Sequence, residues 1–233
     1  MTEIRNIDYN DYVDLVGTAH FTRRSLDDAY RAIRSLKPHD VALELDWNRF
    51  RLLNASCVGC SERGSCRGIC EFTGAAEALG NIDANVWLID MTEREMRQRI
   101  RSRMTPFEMS RIAFSPYGSW DQDPVRLWER GFKDRVISNT KRQIEASRRF
   151  LPSVWRVLID ERNALMAGRL ARIVTRKLDE ERKPKILTFV GAAHVEGMRE
   201  LLSNPLTVKE DLRRLGVPFT EPALIRRVAV QED

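Results

Sequence analysis

The sequence predicts an α/β fold, with a mixed, partly parallel sheet flanked by helices. Three observations predict it. Apolar, β-rich runs alternate along the chain with helical patterns. Two of these runs, 12–16 and 186–190, are each followed by Gly-x-x-His and then at once by a helical pattern. The first of these repeated units continues into a strand–helix–strand unit, which implies a parallel pair joined by a right-handed crossover.

The composition fits one folded domain that spans residues 1–233. Of the 233 residues, 42% are hydrophobic and 31% are charged, so the chain can bury a core that is stable without disulfides or metals. The net charge of +5 permits anionic partners but does not demand them. The first residues hold no apolar signal segment, and no run approaches the roughly 18 apolar residues of a membrane span. We therefore expect a cytoplasmic protein with no membrane association.

The first strand–helix–strand unit places a glutamate within an apolar strand. Residues 26–36 have helical spacing, with Ser25 as the N-cap, and residues 41–45 form the second strand. Glu44 lies inside this strand, where a carboxylate is costly to bury unless it is paired or binds a metal. The alternative is a solvent-facing residue on an edge strand.

All four cysteines lie within fourteen residues, in a loop rich in glycine and serine. Such a loop has little core of its own, and four thiolates around one metal would fold it. In an intracellular chain this clustering favours a structural metal, zinc ahead of an iron–sulfur cluster, with two local disulfides as the alternative. Neither implies catalysis, because a metal with four cysteine ligands has no open position. The cysteines of this loop, residues 57–70, are Cys57, Cys60, Cys66 and Cys70.

The sequence also predicts a helical insert at about residues 92–182, with further strands and helices before and after it. Asp90 ends a third buried strand, and Thr92 caps the helix that follows it. The longest helical pattern begins at Pro152. Further helices are predicted at 71–79, 195–202 and 207–215, and a last strand at 223–230.

The helical insert is rich in arginine. From Arg94 to Arg149 there are fourteen basic residues against seven acidic ones, a balance that would suit a nucleic-acid surface. Acidic residues are interspersed, however, and no aromatic stacking pattern accompanies the arginines. The sequence therefore favours solvated helices over nucleic-acid binding.

Two histidines follow predicted strands, at the edge of an α/β sheet where ligands bind. Gly17 and Gly191 precede His20 and His194 and let the backbone turn sharply and approach a ligand closely. Two histidines and a carboxylate such as Glu44 would form a divalent-metal site, whose metal could activate water for hydrolysis. The alternative for each histidine is a hydrogen-bonded structural role.

Several other reaction classes have no local motif in the sequence. It contains no Gly-x-Ser-x-Gly, no His-Glu-x-x-His, no P-loop and no Gly-x-Gly-x-x-Gly. The third histidine, His39, stands beside Pro38 in a predicted turn, and we assign it no functional role.

Together these residues resemble the TraB/PrgY/GumN family, which includes the Tiki proteases. The family pattern runs through Gly-Thr-Ala-His, a Ser-initiated helix, Pro-x-x-Val-x-x-Glu-Leu-Asp-x-x-Arg, a Glu before an alanine-rich helix, Leu-Ile-Asp-Arg, Glu-Arg-Asp and a second Gly-x-x-His. Met91 and Asn163 replace charged residues of that pattern, and the cysteine loop is foreign to it. Many prokaryotic members also carry a membrane-spanning C-terminal region, for which this sequence has no counterpart. The matching positions are 17–20, Ser25, 38–49, Glu71, 88–90, 161–163 and 191–194.

The resemblance implies a metal-dependent protease or hydrolase, with a fold similar to those of erythromycin esterases and the ChaN haem-uptake proteins. It makes His20, Glu44 and His194 the metal-binding and catalytic set. The residues that it places around this set are Gly17, Arg49, Glu71, Asp90, Glu161, Arg162 and Gly191.

We therefore expect a metal-dependent hydrolase that acts on peptides, with a peptide or a small molecule as its ligand. One alternative is a non-catalytic protein that binds such a ligand through the same cleft, since PrgY members are implicated in shutting down peptide pheromone signals. A second alternative is nucleic-acid binding through the arginine-rich helices. The sequence leaves a homodimer open.

Overall fold

The sheet has five strands in the computed structural model, which describes residues 4–19, 22–57, 72, 75, 78–80, 84–113, 127–128, 130–131, 148–180 and 183–225. The strand order is β1–β4–β2–β3–β5. The first four strands in this order are parallel, and β5 pairs antiparallel with β3. The mixed, partly parallel sheet that the sequence predicts is confirmed. The strands are β1 (Val13–Thr18), β2 (Asp40–Leu43), β3 (Asn85–Leu88), β4 (Ile186–Gly191) and β5 (Ala223–Ile225).

The late strand β4 lies between β1 and β2. It pairs with β1 on one side and with β2 on the other, parallel to both. The first strand–helix–strand unit is therefore parallel, as predicted, but its two strands are not neighbours. This insertion brings the two Gly-x-x-His motifs, which follow β1 and β4, to adjacent strands.

Helices connect the strands and cover the sheet. The long predicted helix from Pro152 is a continuous helical segment with a π-helical turn in its first part. The sequence does not predict the helix at Trp47–Cys57, because the apolar residues of this segment follow no clear helical stripe. The helices are α1 (Arg23–Leu36), α2 (Trp47–Cys57), α3 (Glu93–Arg103), α4 (Pro106–Ala113), α5 (Pro152–Trp155), the π turn (Arg156–Glu161), α6 (Arg162–Asp179), α7 (Ala192–Ser203) and α8 (Pro205–Leu215), with a short 3-10 turn at Tyr9–Asp11.

The N-caps of two helices can be compared with the residues that the sequence predicts for them. Thr92 caps α3 as predicted, because its hydroxyl accepts a hydrogen bond from the Glu95 amide at 3.2 Å. The prediction that Ser25 caps α1 is wrong. Thr22 takes that place and accepts from the Ser25 amide, so α1 begins earlier and Ser25 lies inside it. The Ser25 hydroxyl instead accepts from the Ala19 amide and from the Trp128 indole, both at 3.0 Å.

The core lies on both faces of the sheet. Strand residues alternate between the two faces, as strand geometry requires. Ala42, Trp87 and Val190 belong to one apolar cluster with α6, α7 and α8, whereas Leu43 and Phe189 belong to the other with α1. The described residues of the predicted helix 71–79 are helical, and their apolar members are buried in the second cluster. None of the described helices combines the length and the apolar character that a membrane crossing requires.

Candidate functional site

The two Gly-x-x-His motifs meet at the carboxyl edge of the parallel strands. Strands β1 and β4 pair in register, with Gly17 opposite Val190 and Thr18 opposite Gly191. His194 lies in the first turn of α7 and is buried. His20 lies outside the described residues.

The glycines of the two motifs, Gly17 and Gly191, have different structural roles. Gly17 lies within β1, where a Cβ would approach Val195 Cγ2 to 3.0 Å and Ala192 Cα to 3.4 Å. It therefore permits α7 to pack closely on β1, a different role from the predicted sharp turn. Gly191 ends β4, and its amide donates a hydrogen bond of 2.5 Å to Glu44 Oε2.

Glu44 is buried and paired. It follows β2, a central strand, and its amide bonds to the Phe189 carbonyl of β4. The residue is only 3% exposed, and its Oε1 accepts from Arg162. The solvent-facing alternative for Glu44 is therefore excluded, and the carboxylate is held at the strand ends as an ion-pair partner.

Arg162 lies at the centre of a group of buried polar side chains, which we call the Arg162 cluster. Its Nε and Nη2 donate to the two carboxylate oxygens of Asp90 at 2.9 and 2.7 Å. Its Nη1 donates to His194 Nε2 at 3.1 Å and to the Leu158 carbonyl at 3.3 Å, and Nη2 also donates to Glu44 Oε1. All five N–H groups of the guanidinium are thus used. Arg162 fixes the positions of Glu44, Asp90 and His194 relative to one another.

Asp90 connects Arg162 to a second arginine. Arg49 donates through Nη2 to Asp90 Oδ2 and through Nε to Asp46 Oδ2, the latter at 2.7 Å. Burial alone would raise the pKa of Asp90, but the charges and hydrogen bonds of Arg162 and Arg49 outweigh it and hold that pKa well below its usual range. Burial likewise would lower the pKa of Arg162, and the carboxylates of Asp90 and Glu44 raise it instead. Asp90 and Arg162 are therefore both held in their charged forms.

The bonding pattern fixes the tautomer of His194. A guanidinium can only donate, so the Nε2 that faces Arg162 must be the unprotonated nitrogen. The proton is then on Nδ1, which donates to Asn163 Oδ1 at 2.7 Å. His194 Nε2 also lies 3.5 Å from Glu44 Oε1. The imidazole therefore presents a lone pair to the buried charges.

Glu161, the neighbour of Arg162, faces a different set of residues. Its carboxylate lies 2.5 Å from Arg99 Nε, 2.8 Å from Arg103 Nε and 3.4 Å from Arg156 Nε. All three arginines also donate to the Leu215 carbonyl at the end of α8. We call these residues the Glu161 cluster. It joins α3, the π turn and α8, away from the residues bound by Arg162.

The arginines of α3 are divided between the interior and the surface. Two of them belong to the Glu161 cluster. The other three line an open groove of about 750 Å³ together with Asn48 and Glu93, and one of the three is paired with Glu93. Nucleic-acid binding stays a prediction that the sequence does not favour. The groove arginines are Arg94, Arg97 and Arg101.

Several predicted residues cannot be placed at the site. Glu71 and three of the cysteines lie outside the described part of the chain, and of Cys57 only the backbone, at the end of α2, is described. The zinc, iron–sulfur and disulfide interpretations of the loop therefore stay predictions. The three cysteines are Cys60, Cys66 and Cys70.

The sequence reading missed three residues of the cluster. Asp46 accepts from the Asn48 and Arg49 amides as well as from the Arg49 side chain, and an Asp between a strand and a helix was a signal for such a cap. Arg169 follows Arg162 by seven residues, which places both on one helix face, and it donates to the Asp90 carbonyl at 2.5 Å. In the sequence, Asn163 stands out only as a departure from the family pattern.

The described donors of the predicted metal site, Glu44 and His194, already bind Arg162, and the third predicted ligand, His20, lies outside the described residues, so the metal stays a prediction. Two ligand atoms 3.5 Å apart, as in His194 and Glu44, could in principle bind one ion. Both atoms, however, already accept hydrogen bonds from the same guanidinium, that of Arg162. Within the described residues no group of three His, Cys, Asp or Glu side chains is placed to hold a metal ion. The donor set as arranged suits a guanidinium.

Comparison with known proteins does not assign a family. No protein-family model matches the chain, and no solved structure matches it. An uncharacterized protein of Methanocaldococcus jannaschii is 26% identical to it over 212 residues, which cover 79% of this chain and 51% of that protein. The chain thus spans about half the length of this relative. The resemblance to the TraB/PrgY/GumN family stays a prediction.

Proposed function

We propose that this chain is a hydrolase that acts on peptides, with its reaction centre at the carboxyl edge of β1, β2 and β4. One observation carries the proposal: Glu44 and His194, from distant parts of the chain, are held 3.5 Å apart in a buried cluster of ionisable side chains. Buried titratable groups at strand ends are typical of reaction centres in α/β folds. The peptide substrate rests on the resemblance to the Tiki proteases.

The residues of the site support distinct roles in hydrolysis. The lone pair of His194 Nε2 is a base that could accept a proton from water if Arg162 Nη1 gives way. Asn163 holds the imidazole in the required tautomer through Nδ1. The fixed positive charges of Arg162 and Arg49 would stabilise, through their electric field, negative charge that develops on a substrate carbonyl bound at this edge. Glu44 orients Arg162 and the backbone at Gly191.

The test is turnover of a mixed peptide library, followed by mass spectrometry, in chelator and with added Mn²⁺, Co²⁺ or Zn²⁺. We expect His20→Ala and His194→Ala to lose turnover. His39→Ala is the matched control, because His39 is exposed and precedes β2, at the opposite end of the sheet. Turnover in His194→Ala equal to that of the wild type would refute the proposal. Peptide binding with no product over long incubation would favour the non-catalytic binding protein.

A further inference from the structure

We propose that the guanidinium of Arg162 is the resident cation of this site, in the position where the resemblance implies a divalent metal. Nη1 meets His194 Nε2 and Nη2 meets Glu44 Oε1, the two described atoms that a metal would need. A metal ion bonds to an imidazole nitrogen at about 2.0–2.1 Å through the one lone pair of that nitrogen, and the lone pair of His194 Nε2 already accepts from Arg162. The inference concerns which cation the site holds, and it stands whether or not the chain is a hydrolase.

The described cluster already holds two cations among its acidic side chains. Glu44, Asp46 and Asp90 accept from the guanidiniums of Arg49 and Arg162, and an arginine side chain stays charged in proteins. A dication added among them would lie in a buried region beside guanidiniums of the same sign.

The hydrogen-bond partner of His194 Nδ1 also argues against a metal bound at this site. Histidines that bind metals commonly donate their other N–H to a carboxylate or a backbone carbonyl, which increases their basicity as ligands. Here His194 Nδ1 donates to a neutral amide oxygen, that of Asn163, at 2.7 Å. This amide fixes the orientation of the ring without adding the negative charge that would help to hold a dication.

Removal of the guanidinium should create a metal site. In Arg162→Met the atoms of Glu44, Asp90 and His194 that now accept from Arg162 would be released towards one position. These are two carboxylates and an imidazole, a ligand set suited to a divalent ion. The wild type and the variant share the same cysteine loop, so metal bound there contributes equally to both.

The experiment measures Mn²⁺ binding from the electron paramagnetic resonance signal of the free ion, with folding monitored by circular dichroism. We expect Arg162→Met to bind about one equivalent more than the wild type and to lose it when Glu44→Gln is added. Arg169→Met is the matched control: it removes a nearby buried arginine that contacts the Asp90 backbone and Thr220, and it should gain no ion.

Two results would overturn the proposal. One is a folded Arg162→Met protein that gains no Mn²⁺. The other is a wild-type protein that holds an ion which His194→Gln or Glu44→Gln removes. If Arg162→Met does not fold, this second comparison decides alone, because Mn²⁺ binding that is equal in the wild type and in His194→Gln supports the proposal.

Discussion

A substitution at Gly197 would test the placement of Asn163, the residue that holds the His194 ring. A Cβ at this helical position would lie 2.4 Å from Asn163 Nδ2, and the other atom near it is Asn163 Cγ at 3.5 Å. Gly197→Ala therefore forces the Asn163 amide to move. That amide is held by its 2.7 Å bond to His194 Nδ1, so the movement breaks a buried hydrogen bond.

The size of the effect follows from two opposing terms. A lost buried hydrogen bond that leaves a donor unsatisfied lowers the free energy of unfolding by about 1–3 kcal/mol. Alanine in place of glycine inside a helix raises it by about 0.5–1 kcal/mol. We expect Gly197→Ala to destabilise the wild type by up to roughly 2.5 kcal/mol. In an Asn163→Ala background the clash is absent, so the same change should stabilise the protein by about 0.5–1 kcal/mol.

The assay is urea unfolding of the four proteins of this double-mutant cycle, followed by circular dichroism. A shift of the midpoint at unchanged slope reports the change in stability. The reversal of sign between the two backgrounds is the signature of the contact. If Gly197→Ala destabilises both backgrounds by the same amount, Asn163 is not the neighbour that we describe.

Two further predictions concern charge and capping. The pKa of Asp90 lies below its ordinary value of 3.8, so its contribution to stability is complete above that pH and is lost as the pH falls through the lower folded-state value. Urea unfolding as a function of pH should therefore show the difference between wild type and Asp90→Asn shrinking in acid; a difference that is constant down to pH ~2 would contradict this. Thr105 and Glu108 form a reciprocal capping box at the start of α4, so Thr105→Ala should lower the free energy of unfolding by about 0.5–2 kcal/mol, and an unchanged urea midpoint would show that the box contributes nothing.

The sequence predicted those parts of the fold that depend on local patterns. Apolar runs predicted all five strands, and the Gly-x-x-His repeat predicted that β1 and β4 carry related sites. The order of strands was beyond reach, because β4 lies between β1 and β2 for reasons of tertiary packing. The cap of α1 was misplaced because Thr22 and Ser25 both suit an N-cap, and a helix start is chosen by where the chain enters from β1.

The sequence predicted residues of the candidate site, but not the hydrogen bonds that join them. Glu44, Asp90, Arg162 and His194 were all named from the sequence, and the structure brings these four together. That Arg162 joins them could not be read from spacing, because an arginine in a long helix resembles any solvated arginine. Glu161 stands next to it in sequence, yet its side chain joins another cluster.

The two clusters at the end of the π turn differ in what they stabilise. The Glu161 cluster satisfies the carbonyls at the end of α8, a structural need that every helix terminus has. The Arg162 cluster also bonds to backbone groups, among them the Leu158 carbonyl and the Gly191 and Met91 amides, but most of its contacts join one buried ionisable side chain to another at the strand ends. Buried ion pairs are often no more stabilising than apolar residues of similar volume, so stability alone does not account for the second cluster. Its place at the carboxyl edge of the parallel strands, beside both Gly-x-x-His motifs, supports a chemical role for it.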